Sequence, residues 1–473
     1  MANVSTQGAA PEDRPQPPGP KGLPFLGNGL QLKRDPLGFL TDCARTYGDV
    51  VRISLPGQAG FLISHPNDIE KTLVAGAQNF VKTSGGQQSR PASRRREQDL
   101  MTWVRNFPSD GEAWLPEKEL AHPSHRERRQ IQPAFHSERI EAYAETMVAL
   151  TQRSLATWKD GEIRNAHVDM THLALVVIAK TLFSADAGGE AKKLADAFST
   201  IIAQIVSQMV NPIQIPNFIP TPHNLRLRKA IAQIDGFLEA LVRQHRANQD
   251  INDLISILLK AQDESDGAVS ANDWRYQAMT VFVAGYETTA LTLTWALYLI
   301  SENPDVEAKL AAELNAVLAG QPPRAADVPK LRYTEMIVKE TLRLYPPVWL
   351  LGPRTCIEDF EVGGYRLPAG STILISPWVT QRDPRNFEHP QIFDPDRWAD
   401  ESMKQTPKFA YFPFSGGERQ CIGKSYAMME AVLVLATIAQ SWRLKLAPGA
   451  RVEPQPLVTL QPRFGMPMKI AAR

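Results

Sequence analysis

Apolar residues recur at helical spacing over most of the middle and C-terminal stretches of the chain. The pattern predicts helices over 36–47, 139–158, 168–183, 191–210, 224–249, 252–262, 272–302, 306–318, 333–344 and 423–441, with a short one over 67–75. Residues 50–55 and 60–64, rich in Val, Ile, Phe and Leu around Pro56-Gly57, read as a hairpin. Shorter strand signals follow at Val362, at 365–367 and 372–375, and near 457–460. The stretch 211–223 carries four prolines and reads as a loop, and 82–120 is irregular and polar. Neither an internal repeat nor a clean linker interrupts this pattern. The expectation is a mainly α chain with small β-sheets, built as one unit over 21–473 behind a Pro-rich arm over 1–20.

Composition narrows the classes. Of 473 residues, 43% are apolar and 22% charged, which suits a globular protein. Lys plus Arg number 52 against 51 for Asp plus Glu, so net charge gives no case for nucleic-acid binding. The three cysteines, Cys43, Cys356 and Cys421, are too few and too odd for a disulfide framework, which fits a reducing compartment. The first residues hold no apolar run of signal-peptide or membrane-spanning length, so a cytoplasmic protein without a membrane anchor is expected.

Chemistry concentrates in a few segments. Phe414-Ser-Gly-Gly-Glu-Arg419-Gln-Cys421-Ile-Gly423 places a cysteine in a Gly-rich loop directly before a helix. Backbone N–H groups aimed at the sulfur would lower the thiol pKa and favour thiolate, and Phe414 with Arg419 would suit a large, flat, partly anionic ligand. The competing reading is a structural buried cysteine. In the helix over 272–302, Ala284-Gly285-Tyr286-Glu287-Thr288-Thr289 interrupts an almost wholly apolar face; Glu287 is either solvent-facing or a buried acid with a task. Glu340 and Arg343 share a helix face at i, i+3, as an exposed ion pair or as part of a larger network. His125 and Arg129, at i, i+4, read as a basic solvated face or as an anion grip.

In order and spacing, these segments resemble the cytochrome P-450 family across nearly the whole chain. The resemblance implies one triangular, mainly helical fold, with haem between the long central helix and the helix that follows the Cys loop. It implies that Cys421 is the axial ligand of haem b, that Phe414 shields its sulfur and that Gly423 belongs to the same cradle. His125, Arg129, Arg354 and Arg419 would hold the haem propionates. Ala284 and Gly285 would border the haem, Gly285 letting the helix bend and leave room beside iron. Thr288 would hydrogen-bond dioxygen and water, and Glu287 would feed protons through a relay. Arg397, in Phe393-Asp394-Pro395-Asp396-Arg397-Trp398, would complete a structural Glu340–Arg343–Arg397 network. Gln381 stands where the family often has His.

The reaction implied is a monooxygenation: one atom of O2 enters a C–H or C=C bond, with electrons ultimately from NAD(P)H. No flavin, nucleotide or iron–sulfur fingerprint is visible, so electrons are expected from a separate ferredoxin or flavodoxin with its reductase. Arg126, Arg128, Arg129 and Lys424 would form its docking patch. Val281, Ala284, Val348, Trp349, Leu350 and Val458 are candidate pocket walls, or simply core, and imply a hydrophobic fatty acyl, terpenoid or polyketide substrate. Two alternatives remain: a peroxide-driven haem-thiolate peroxygenase and a non-catalytic haem-based binder of small molecules.

Overall fold

A computed structural model describes residues 16–55, 58–82, 128–187, 189–210, 219–248, 250–263, 271–399 and 402–473. His125, Arg126 and most of the long polar segment over 82–124 lie outside them. The chain divides into two compact parts, each assembled from separate stretches of sequence.

The first part comprises 1–97, 350–387 and 407–419. Its centre is a five-stranded sheet of β1 (Val50–Leu55), β2 (Gln58–Ile63), β3 (Phe80–Lys82), β5 (Arg354–Cys356) and β8 (Thr372–Ile375), in the order β1-β2-β8-β5-β3. The β1–β2 hairpin pairs Val50 with Ile63 and Leu55 with Gln58; β2 then runs parallel to β8, with Phe61 opposite Ile373. The end of the Pro-rich arm adds to this edge, where Arg52 N–H donates to the Pro18 carbonyl at 2.8 Å. Helix α1 (Pro36–Tyr47) starts where Asp35 accepts from Gly38 N–H, has Pro at its first turn, and buries Leu37, Leu40 and Cys43. A small hairpin, β6 (Phe360–Val362) with β7 (Tyr365–Leu367), completes this part.

The second part, 98–349, 388–406 and 420–473, holds the long helices. In chain order these are α2 (Ser137–Leu155), α3 (Ala166–Phe183), α4 (Ala191–Val210), α5 (Pro222–Ala247), α6 (Leu254–Asp263), α7 (Ala271–Glu302), α8 (Pro304–Leu318), α9 (Arg332–Leu344) and α10 (Lys424–Ser441). α7 is the hub and packs against α3, α9 and α10. Two aromatic clusters fix it. Phe282 meets Phe183, Phe198 and Phe237 within 5.8 Å between ring centroids, and Trp295, fully buried, stacks on Tyr345 at 4.2 Å. α3 is long and apolar enough to cross a membrane, yet 61% of it is buried in this core, as expected of a helix packed between others.

Two small sheets complete the second part. β4 (Ile163–Asn165), β9 (Trp442–Leu446) and β12 (Pro467–Ala472) form one, and β10 (Pro454–Pro456) with β11 (Leu460–Pro462) the other. The strand expected near 457–460 is instead the turn of this second hairpin. Leu457 N–H donates to the carbonyls of both Gln455 and Thr459, which folds the chain back, and the apolar residues at the bend mimic a strand in the sequence. Strands β3, β4, β5, β9, β10 and β12 had no counterpart in the sequence reading; four of them have only three residues each, too short for periodicity to register.

Candidate active site

The centre of α7 has an unusual surface. Phe282, Val283, Tyr286, Thr289, Ala290 and Leu291 are buried on several sides, whereas Ala284 is exposed and Thr288, one turn on, is half-buried. Ala284 and Thr288 at i, i+4 therefore form an accessible strip, since between Val281 and Leu297 every residue except Ala284, Gly285 and Thr288 is buried. Thr288 Oγ1 donates to the Ala284 carbonyl at 2.7 Å, and Thr289 and Thr292 make the same backward bond to Gly285 and Thr288. Thr288 Oγ1 thus keeps lone pairs to accept from a ligand on the strip.

Gly285 lies against a neighbouring helix. A Cβ built on it would lie 2.2 Å from Ile178 Cδ1 of α3, and α7 runs through it unbroken as α-helix. Its missing side chain lets the two helices approach closely.

Glu287 is 8% exposed. Two donors meet on one of its oxygens: Thr459 Oγ1 donates to Oε1 at 2.7 Å and Gln461 Nε2 donates to Oε1 at 2.9 Å. Burial raises its pKa above the ordinary carboxylate value, and these two donors pull partly the other way. Thr459 and Gln461 were missed from sequence. Their i, i+2 spacing puts them on one face of an extended segment, but nothing local indicates the partner. Glu430 on α10 was also missed. It is 1% exposed within a run of buried apolar residues, and burial pushes its pKa well above the ordinary range. It is hydrogen-bonded to Thr289, and its Oε1 has no partner among the described residues. A lone Glu among Ala, Val and Leu was the available signal.

Cys421 opens the second part's last helix-bearing stretch, just before α10. Its side chain retains accessible surface, yet enough protein surrounds the sulfur for desolvation to dominate, and its pKa is raised. The Gly423 N–H, Arg128 and Lys424 act in the opposite direction and do not win. The lowered thiol pKa expected from the neighbouring N–H and cations is not what the protein's own groups produce, because burial outweighs them. A Cβ on Gly423 would make only ordinary contacts, 3.6 Å from Phe135 and 4.0 Å from Sγ. Arg129 is exposed and Lys424 is exposed, whereas Arg128 is half-buried.

The loop that leads to the cysteine belongs, through Arg419, to the first part. Two of its glycines are dictated by protein contacts. A Cβ on Gly416 would strike Phe409 at 2.3 Å; Gly417 has φ +67° and a Cβ there would lie 2.1 Å from the Leu73 carbonyl oxygen. Phe414 and Arg419 are half-buried, and burial lowers the Arg419 pKa. Arg354 on β5 is 8% exposed, and burial alone, with no offsetting carboxylate among the described residues, lowers its pKa to about 10. Gln381 is fully buried and its Oε1 accepts from Phe412 N–H at 3.0 Å, so it organises the start of this loop.

Glu340, Arg343 and Arg397 come together. Arg343 grips Glu340 through Nε and Nη2 at 2.9 and 2.8 Å, Arg397 Nε donates to Oε1 at 2.9 Å, and both Glu340 and Arg343 are fully buried. Trp398 Nε1 and Asp394 N–H add bonds to the same carboxylate at 2.9 and 3.1 Å. Arg343 also donates to the carbonyls of Pro390 and Ile392, so one side-chain cluster pins the loop over 388–398.

Among the pocket candidates, Val281 and Trp349 are buried, and Val348, Leu350 and Val458 are half-buried. Trp349 Nε1 donates to the Leu457 carbonyl at 2.9 Å, and Leu460 N–H to the Pro347 carbonyl at 2.9 Å. Trp295 Nε1 donates to the Leu460 carbonyl at 2.9 Å. The β10–β11 hairpin is thereby stapled both to α7 and to the Val348–Trp349 segment.

A family model described as "Cytochrome P450" matches residues 17–468. The chain is 37% identical over 445 residues to "Cyclooctatin synthase" of Streptomyces melanosporofaciens, covering 93% of this chain and 92% of that protein. It is 32% identical over 456 residues to "Pentalenene oxygenase" of Streptomyces avermitilis, covering 96% and 97%. It is 33% identical over 447 residues to "Cyclooctat-9-en-7-ol 5-monooxygenase" of S. melanosporofaciens, covering 93% and 92%.

Proposed function

The chain belongs to the cytochrome P450 family and is a haem-dependent monooxygenase, and we propose that its substrate is a terpenoid hydrocarbon or a partly oxidised terpenoid. Haem ligated by a cysteine, with O2 and electrons from NAD(P)H through redox partners, is the family's equipment. The relatives named for cyclooctatin and pentalenene oxidation favour the terpenoid over the fatty acyl and polyketide alternatives. The half-buried apolar side chains of Val348 and Val458 on stapled segments suit a rigid apolar substrate held by shape.

Several residues fit the cofactor by their chemistry. Cys421, with the Gly423 N–H on its sulfur, offers the single thiol donor that a haem-thiolate centre needs; the metal cation would displace the thiol proton. Arg354 is a buried guanidinium without a described carboxylate beside it, and it suits a haem propionate, as do Arg419, Arg129 and His125. Bound haem supplies the redox chemistry: reductive activation of O2 and insertion of one oxygen atom into the substrate. The protein's share is proton control and positioning. Thr288 presents a hydroxyl on the accessible strip of α7, and Glu287, buried beside it in sequence, exchanges a proton with it through water. Glu340, Arg343 and Arg397 fix the approach to the Cys loop and take no chemical part.

We also propose that the electron donor is a ferredoxin or flavodoxin attracted by Arg128, Arg129 and Lys424, and that the enzyme works in the cytoplasm, where Cys43 and Cys356 stay reduced. The observation that carries the oxygen-activating reading is the accessible Ala284–Thr288 strip with a buried carboxyl at the next position. Thr288→Ala tests it. Carbon monoxide on the reduced protein should still give the red-shifted Soret band of thiolate ligation, while product per NAD(P)H falls at least about tenfold, the lower range for loss of a proton-transfer group. Unchanged coupling would remove the role given to Thr288 and favour the peroxide-driven alternative.

A further inference from the structure

The Glu287 carboxyl is held from outside its own helix. Thr459 and Gln461 lie on the β10–β11 hairpin, 172 and 174 residues away in sequence, and converge on the same oxygen. Gln461 Nε2 also points its second N–H toward Thr459 Oγ1 at 3.5 Å, so two donors and one acceptor form a closed triangle. With a carboxyl and a hydroxyl oxygen both facing it, the Gln461 amide must present its NH2 end. The hairpin cannot easily drift, because its Leu460 and Leu457 carbonyls accept from Trp295 and Trp349.

We propose that Thr459 and Gln461 are positioning residues for the reaction: they hold the Glu287 carboxyl by Oε1, stabilise its ionised form, and leave Oε2 as the oxygen that takes up and releases the proton. The other polar groups around this point of α7 cannot do this. Tyr286, its neighbour, is buried, and its pKa is raised by burial first and by Glu287 second; Glu430 on α10 meets α7 at Thr289; no cation among the described residues contributes to Glu287. Burial raises the Glu287 pKa and the two donors oppose that rise, so they favour the ionised form. Thr459 also follows Val458, a proposed pocket wall, so a substrate pressing on that residue bears on the segment that tunes the proton donor.

The relevance to turnover rests on the relay role proposed for Glu287, but the hydrogen-bonding claim is readable without turnover. Infrared difference spectra of the ferric, haem-loaded protein, titrated with pH, report the C=O stretch of a protonated carboxyl, assigned to Glu287 by its loss in Glu287→Gln. Removing one donor, in Thr459→Val or Gln461→Met, should raise the titration midpoint by about one pH unit, roughly the tenfold change in proton affinity that a bond to a carboxylate is worth. It should also move the C=O band to higher frequency, because Oε1 loses a donor. Thr459→Ser should restore both. A midpoint and band position unchanged in both single variants and in the double variant would overturn the proposal, as would a Glu287 that stays ionised throughout the range in every form. Coupling measured in Glu287→Gln separates the two ideas: normal coupling there removes the relay role and leaves the hydrogen-bond result standing or falling on the spectra.

Discussion

Replacing Glu340 with Gln tests how the buried charge cluster holds the loop over 388–398. The change keeps shape and removes one charge. It leaves Arg343, fully buried, and Arg397 facing a neutral amide. Five donors converge on the two carboxylate oxygens: Arg343 Nε and Nη2, Arg397 Nε, Trp398 Nε1 and Asp394 N–H. An amide offers one acceptor oxygen and turns its NH2 toward donors, so at least two bonds must be lost. Removing one partner of a buried ion pair costs about 3–5 kcal/mol. The cost should appear locally, since Asp394 N–H uses Glu340 Oε1 as its acceptor. Native-state hydrogen exchange of the amides between Glu388 and Trp398 should accelerate by roughly a hundred- to a few thousand-fold, with the five-stranded sheet of the first part unaffected. A parallel urea titration should lower the unfolding free energy of the second part by a similar amount. Acceleration below about tenfold at Asp394 would refute the view that this carboxylate organises the loop.

Gly417→Ala should destabilise by at least ~2 kcal/mol, from its left-handed φ and from the Cβ placed against the rigid Leu73 carbonyl, whereas Gly423→Ala should change the urea midpoint little, because its Cβ meets only ordinary contacts. Glu430→Gln should become more stable relative to the parent protein as pH rises. The Glu430 pKa is raised in the folded state, so its stabilising contribution is complete below the unfolded value of about 4.5 and is lost as pH climbs toward the folded pKa; a neutral amide has no such loss. Chemical denaturation of both proteins from pH 4 to pH 8 checks this, and parallel stability curves would disprove it.

The long helices and the Cys loop were legible because their signals are local. A 3.6-residue apolar period marks α3 or α7 without reference to anything else in the chain, and a Gly-rich run ending in Cys421 before a helix is written in ten consecutive residues. The Glu340–Arg343 pair was legible at i, i+3, and Arg397 followed only from resemblance, 57 residues on. What stayed hidden depends on distant partners. The close approach of Ile178 of α3 to Gly285 was not visible, because the sequence does not show which helix lies across from it. The thiol of Cys421 was expected to be acidified because its N–H and cationic neighbours are visible in sequence, whereas the desolvation that outweighs them comes from packing. The apolar bend at 457–459 imitated a strand because turn-closing bonds, unlike side-chain polarity, leave no local trace.

The two buried carboxyls of this region are similar in sequence signal and opposite in chemistry. Glu287 and Glu430 both sit in apolar helices, and burial raises both pKa values. Glu287 meets two donors that bring no competing acceptor need of their own: the Thr459 hydroxyl proton and a Gln461 N–H both end on Oε1. Glu430 meets only Thr289, whose single hydroxyl proton is already given to the Gly285 carbonyl at 3.0 Å. The Thr289 hydroxyl lowers the Glu430 pKa only against a larger rise from burial, and Glu430 Oε1 has no partner among the described residues. Ionising Glu430 would place a charge in the core with one hydroxyl to answer it; ionising Glu287 would strengthen two bonds already made. On the relay proposed above, the acid beside Thr288 exchanges its proton with the accessible strip, whereas Glu430, answered by Thr289 alone, is held further toward its neutral form by burial between α7 and α10.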